Sequence, residues 1–357
     1  MKIESGLKHD MLLGLCCLPA IVIIFIAGFL FDWQHQASIM ASGALPLAFG
    51  ASKTWEGSSL SLLAATAFGL AISSWLGGLV GNIMPVYIAG AMLYAALYAV
   101  ITGLDNTAGW VFLQSSIAYL ISGYFPGSFW QAGTRAALTF SGALLQLIII
   151  CLILSGITFR LEYLSRLSWL TYLRRETRKY RHKIHLRWSI FFALLAMGFA
   201  LSVVELSQLK NGYWTGMTLL LCLRNHYRDS LLRVPARILG TLLGCLAAGA
   251  LGHWLQQPLL MAGGFILSGY IAFILSWRLD SGSYFVFTFF VTLMVVFMLS
   301  LTGISQATVV TDRLMATAVG GGFALGAILL TRLVTSLQAK LTGNKEAKPG
   351  SSFLRQG

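Results

Sequence analysis

Twelve runs of mostly apolar residues, parted by short polar breaks, fill almost the whole chain. Six lie at 11–31, 37–51, 58–80, 84–103, 108–125 and 131–155. After a polar stretch at 157–187, six more follow at 188–206, 212–224, 235–255, 258–277, 283–301 and 311–334. A helix needs roughly 20 apolar residues to cross the hydrocarbon of a bilayer. Only 10% of the residues are charged, against about 25% in a soluble domain, so the chain cannot clothe its surface for water. The expected fold class is all-α: a polytopic membrane protein of two parallel six-helix repeats, with about 12 transmembrane helices. The expected organisation is a first membrane repeat at 1–156, a basic linker at 157–187, a second repeat at 188–334 and a polar tail at 335–357.

A formal net charge of +13 would suit a nucleic-acid partner, but the charges follow membrane topology instead, and no nucleic acid is expected. An even number of spans puts both termini on one side. If that side is the cytoplasm, only Arg135, Lys210 and Arg313 of the 25 Lys and Arg fall on the far side, leaving 22 at or near the cytoplasmic face. That is the positive-inside pattern. Lys2 and Lys8 precede the first run as in a signal peptide, yet the run is too long for one and no small-residue cleavage site follows, so an uncleaved first helix is expected. The linker carries nine basic residues against Glu162 and Glu176, with Leu161, Leu164, Leu167, Leu170 and Leu173 every third position. Two readings stay open for it: an amphipathic helix on anionic lipid, or a solvated connector.

The halves superimpose in sequence with a shift of 175 to 178 residues. Leu104-Asp105-Asn106 answers to Leu279-Asp280-Ser281, and Ala65–Gly69 to Gly240–Gly244. A shorter pattern, Arg, Thr four residues on and Gly three further, occurs as Arg135/Thr139/Gly142, Arg237/Thr241/Gly244 and Arg313/Thr317/Gly320. A fourth copy, Leu62/Thr66/Gly69, lacks the Arg. Positions i, i+4 and i+7 share one helix face. Each copy thus aligns a cation, a hydroxyl and a gap for close backbone approach.

An Arg within a membrane helix costs roughly 2.5–3.5 kcal/mol on insertion scales. Read as starting their helices, these arginines would add to the positive N-terminal end and attract an anion. Arg237 is expected near the cytoplasmic face, with Arg135 and Arg313 near the outer one. The competing reading is structural: Arg snorkels, Thr bonds back to its own helix, and Gly marks packing. The second run of each half, 37–51 with Gly43, Pro46 and Gly50, and the short 212–224, resembles the broken helices of transport sites. Tyr213 and Trp214 open the latter, either to stack on an aromatic ligand or as interfacial anchors. Arg233 shares a face with Arg237. Asp312 and Glu205, at far-side helix ends, and Asp105 and Asp280, at cytoplasmic ones, are the candidate coupling carboxylates; nothing in the sequence chooses among them.

Tyr213-Trp214, Thr218, the basic loop from Arg224 and the segment Arg237–Gly244 together resemble the signature of the fusaric acid resistance and aromatic acid exporter family. Arg313–Gly320 resembles that family's later segment. The resemblance implies a bacterial inner-membrane exporter of organic anions, including aromatic carboxylic acids or acidic secondary metabolites, with Arg237, Thr241, Arg313 and Thr317 as pathway or packing residues. Alternatives are a passive anion channel and a non-transporting membrane subunit of an envelope assembly. With no nucleophile–base or metal constellation and no Walker motif in the sequence, neither an enzyme nor a cofactor is expected. The expected partners are a small organic anion, the bilayer and a second copy of the chain. The second half is expected to supply most of the cytoplasmic side of any path.

Overall fold

A computed structural model describes residues 2–55, 59–154, 184–223, 227–254, 257–278, 281–301 and 306–341. Most of the basic linker, the loop Arg224–His226, Glu56, Asp280 and the end of the polar tail lie outside the described residues.

Twelve helices are described, each on one of the apolar runs. In the first half they are α1 (Lys2–Leu30), α2 (Gln34–Gly50), α3 (Ser59–Val80), α4 (Met84–Leu104), α5 (Asn106–Tyr124) and α6 (Phe129–Leu154). In the second they are α7 (Ile184–Leu206), α8 (Tyr213–Cys222), α9 (Tyr227–Trp254), α10 (Pro258–Trp277), α11 (Ser281–Leu301) and α12 (Gln306–Leu341). No strand occurs among the described residues. Nine of the helices are long and apolar enough to cross a membrane. The others are α2, α5 and α8, at 17, 19 and 10 residues. α5 is long enough but too polar to count among them, whereas α8 is short for a physical reason. Eight of the ten residues of α8 are buried, and a helix walled in by protein does not need a run of lipid-facing side chains.

Helices form here because apolar side chains face lipid or neighbours while every backbone N–H and C=O is satisfied within the helix. Local chemistry sets the ends. Asp105 caps α5, its carboxylate accepting from the Thr107 N–H at 2.7 Å. Proline at the second position opens α4 and α10's first turn likewise begins with Pro258.

The two halves use the same local devices. Asp32, after α1, and Gln208, after α7, are 176 positions apart, and both adopt a left-handed backbone, φ 55° and 52°. Around them Trp33 N–H donates to Gly28 O at 2.7 Å, and Leu209 N–H to Val204 O at 3.1 Å. Helix neighbours also recur: α3 packs on α5 and α6, and α9 on α11 and α12, while α2 lies on α6 and α8 on α12. Between halves the pairing is reciprocal, α1 with α10 and α4 with α7. At the first of these seams Arg278 Nε donates to Asp10 Oδ2 at 2.6 Å, and Phe25 meets Phe265 edge-on at 5.0 Å.

The glycine of the recurring pattern is a packing residue. A Cβ at Gly142 would lie 1.9 Å from the Met40 carbonyl oxygen, and one at Gly320 2.3 Å from that of Thr215. Met40 and Thr215 are themselves 175 apart. Helices α6 and α12 therefore press backbone to backbone on α2 and α8 at equivalent points, which only glycine allows. Gly240 and Gly244 do the same for α9 against Thr288 and Thr292 of α11.

Candidate functional site

The structure moves Arg237. The helix bearing it begins at Tyr227, not at Pro235. Pro235 lies inside α9, where its missing N–H costs one internal hydrogen bond without ending the helix. Arg237 thus stands ten residues, about 15 Å, from the N-terminus of α9. It lies deep in the span Asp229–Leu251, not at a helix start. Antiparallel packing sets Ile238 beside Gly321 and Cys245 Sγ against Val310 O at 3.9 Å. That places Arg237 and Arg313 within electrostatic reach of each other.

Both side chains are only 4% exposed. Neither Nε has a hydrogen-bond partner, and neither arginine forms an ion pair among the described residues. The hydroxyls of Thr241 on α9, Thr288, Thr292 and Tyr284 on α11, and Thr215 on α8 are also buried without a partner there. Thr317 is 3% exposed. Arg313 has one partner, the Trp214 ring, with 5.1 Å between guanidinium carbon and ring centroid. Arg233 sits 4.4 Å from the Tyr284 ring centroid. Isolated buried charges cost several kcal/mol each, and two of the same sign cost more. Negative charge placed between them would offset that cost.

In the first half the equivalent arginine has different surroundings. Arg135 is half-buried, 5.1 Å from the Phe125 ring centroid. It lines a cavity of ≈ 30 Å³ together with Ile39 and Ser42 of α2, Ser74 of α3, Ser122 of α5 and Thr139 of α6. Ser74 and Ser122 share a hydrogen bond of 2.7 Å. Rings connect this arginine to Arg313: Phe125 lies 6.1 Å from Tyr213, and Tyr213 lies 5.2 Å from Trp214. Tyr213 and Trp214 are 7% and 4% exposed, so they are interior rings, not interfacial anchors.

The remaining candidates are dispersed. Thr139 donates to Arg135 O at 3.0 Å and Thr66 to Leu62 O at 2.8 Å, so in the first half the threonines bond back to their own helices. Asp312 Oδ2 accepts from Asn211 Nδ2 at 2.9 Å. Glu205 is exposed at the end of α7. The partnership of Asn211 and the ring chain from Phe125 to Trp214 are not legible in the sequence, because both join residues far apart in the chain. Among the described residues, no group of three or more His, Cys, Asp or Glu could hold a metal ion.

The helices define a multi-pass membrane protein. Residues 195–327 match the model of the family described as fusaric acid resistance protein-like, so the resemblance carried by Arg237–Gly244 and Arg313–Gly320 holds across most of the second half. A Haemophilus influenzae protein described as uncharacterized is 28% identical over 153 residues, 43% of this chain and 20% of that protein. The aligned part thus spans about a fifth of that relative's length. No solved structure matches.

Proposed function

We propose that the protein carries organic anions, aromatic carboxylates among them, across a bacterial inner membrane, with both termini cytoplasmic and the halves acting as parallel six-helix repeats. The observation that carries this reading is the pair Arg237 and Arg313, both buried and both with an orphaned Nε. A carboxylate entering their field replaces lost hydration with charge-assisted hydrogen bonds. The likeness to fusaric acid resistance proteins and the bias of Lys and Arg to one side support it.

The test is uptake of radiolabelled benzoate and other organic acids into inside-out vesicles, comparing wild type with Arg237→Gln and Arg313→Gln. Loss of transport in folded variants is expected; undiminished transport in the double variant would overturn the pathway. A passive channel is the second reading, favoured by the bond of Asp312 to Asn211, which turns that carboxylate away from a coupling role. Accumulation against a gradient would exclude it, and ohmic anion current in a planar bilayer would establish it.

A further inference from the structure

The repeat pairs Ile39 with Trp214 at a shift of 175 and Arg135 with Arg313 at a shift of 178. In the second half the large residue of this pair covers the cation: the Trp214 ring lies against Arg313, and both are buried. In the first half the small residue leaves a gap. Ile39 and Arg135 both line the ≈ 30 Å³ cavity, enclosed also by Ser42, Ser74, Ser122 and Thr139. One helix arrangement therefore holds a sealed arginine in one half and an accessible one in the other.

The cavity's chemistry suits an anionic head group. Arg135 forms no ion pair among the described residues and keeps its guanidinium donors. In the Ser74–Ser122 pair one hydroxyl donates to the other, so the second proton is free to be given outward. Ser42 and Thr139 spend their protons on Ile39 O and Arg135 O. The donors left are one cation and one hydroxyl, beside the apolar walls of Ile39, Leu70 and Ile117. That combination fits a carboxylate carrying an apolar body and offers little to a cation. The space is about that of one water molecule, so it takes a head group while the rest of the molecule trails toward the opening.

We infer that the Arg135 cavity of the first half is the site where a transported carboxylate is held in this conformation, while the Trp214 ring covers Arg313 of the second-half centre. This rests on the reading of the protein as an organic-anion carrier. Trp214 is then the residue that makes the two halves unequal.

The test exchanges the residues that differ. Equilibrium binding of radiolabelled benzoate to detergent-purified full-length protein, and its transport in vesicles, are measured for Ile39→Trp, Arg135→Gln and Trp214→Ile. Ile39→Trp fills the cavity without changing charge, and Arg135→Gln removes the charge with little change in volume. Each is expected to weaken benzoate binding about tenfold or more and to lower transport in step. Trp214→Ile is expected to leave the first-half site in place, with binding retained. If Ile39→Trp is not recovered folded, Arg135→Gln together with Ser74→Ala and Ser122→Ala carries the same comparison. Wild-type binding that survives both Ile39→Trp and Arg135→Gln overturns the inference while leaving the carrier reading intact. Failure of the wild type to bind or carry any organic acid overturns both.

Discussion

The guanidinium of Arg313 rests 5.1 Å from the centre of the Trp214 ring, and the two come from helices almost a hundred residues apart in the chain. A cation over an indole face is worth ~0.5–2 kcal/mol, the upper end when water is excluded. Trp214→Leu, which keeps bulk and loses the ring's negative face, is expected to lower the thermal unfolding midpoint more than Trp214→Phe. Equal midpoints in detergent-purified protein would mean that the ring only fills space.

The glycines that bring α6 onto α2 and α12 onto α8 have no room for a methyl group. Gly142→Ala and Gly320→Ala are each expected to cost about 1–3 kcal/mol of stability, read as a lower midpoint and poorer yield of folded protein. Gly322 and Gly326, with nothing within 4 Å of an added Cβ, supply the controls. Their alanine variants should unfold at or slightly above the wild-type temperature.

Arg237 sets stability against function. A buried charge without a partner is a burden on the folded state, because taking an ion out of water costs several kcal/mol that nothing offsets. Arg237→Met is expected to keep or raise the unfolding midpoint in buffer poor in small anions, and to abolish transport. A sharp fall in midpoint would show that the arginine is a structural strut.

If the buried arginines receive anions, the anions should stabilise the fold. A carried acid at 100 times its dissociation constant is expected to add about 2.7 kcal/mol, seen as a concentration-dependent rise in midpoint. Arg135→Gln combined with Arg313→Gln should flatten that rise. A rise of the same size in the double variant would point to nonspecific salt effects.

The ion pair of Asp10 and Arg278 is partly exposed, with side chains 18% and 34% accessible. Its coupling energy is expected to be modest, about 1 kcal/mol. In a double-mutant cycle, Asp10→Asn and Arg278→Gln should each lower the midpoint slightly and be non-additive together. Full additivity would mean that the two charges act independently.

The twelve helices were legible because apolar runs of that length and spacing have few other uses, and the run boundaries fall within a few residues of the helix ends in most cases. The start of α9 is hidden in the sequence because Arg228, Asp229 and Arg233 interrupt the apolar run, yet the helix continues through them and through Pro235, whose flanking turns absorb the loss of one bond. The Arg–Thr–Gly pattern was found as a unit but serves divided roles. Its glycines pack, the hydroxyls of Thr66 and Thr139 bond back to their own helices, and in the second half Arg237 Nε, Arg313 Nε and the Thr241 hydroxyl have no hydrogen-bond partner among the described residues. What Trp214 covers was beyond reach of the sequence, since nothing in Tyr213-Trp214 names a residue on α12 as its neighbour.

The seam between α1 and α10 bears on how the protein is made. Asp10 and Arg278 stand 268 positions apart, so at translation rates of about 5–20 residues per second the first helix waits on the order of ten seconds or more for its mate. During that interval α1 must sit in the bilayer with one flank unclaimed. The seam closes only once α10 has been made and can take its place beside the waiting α1.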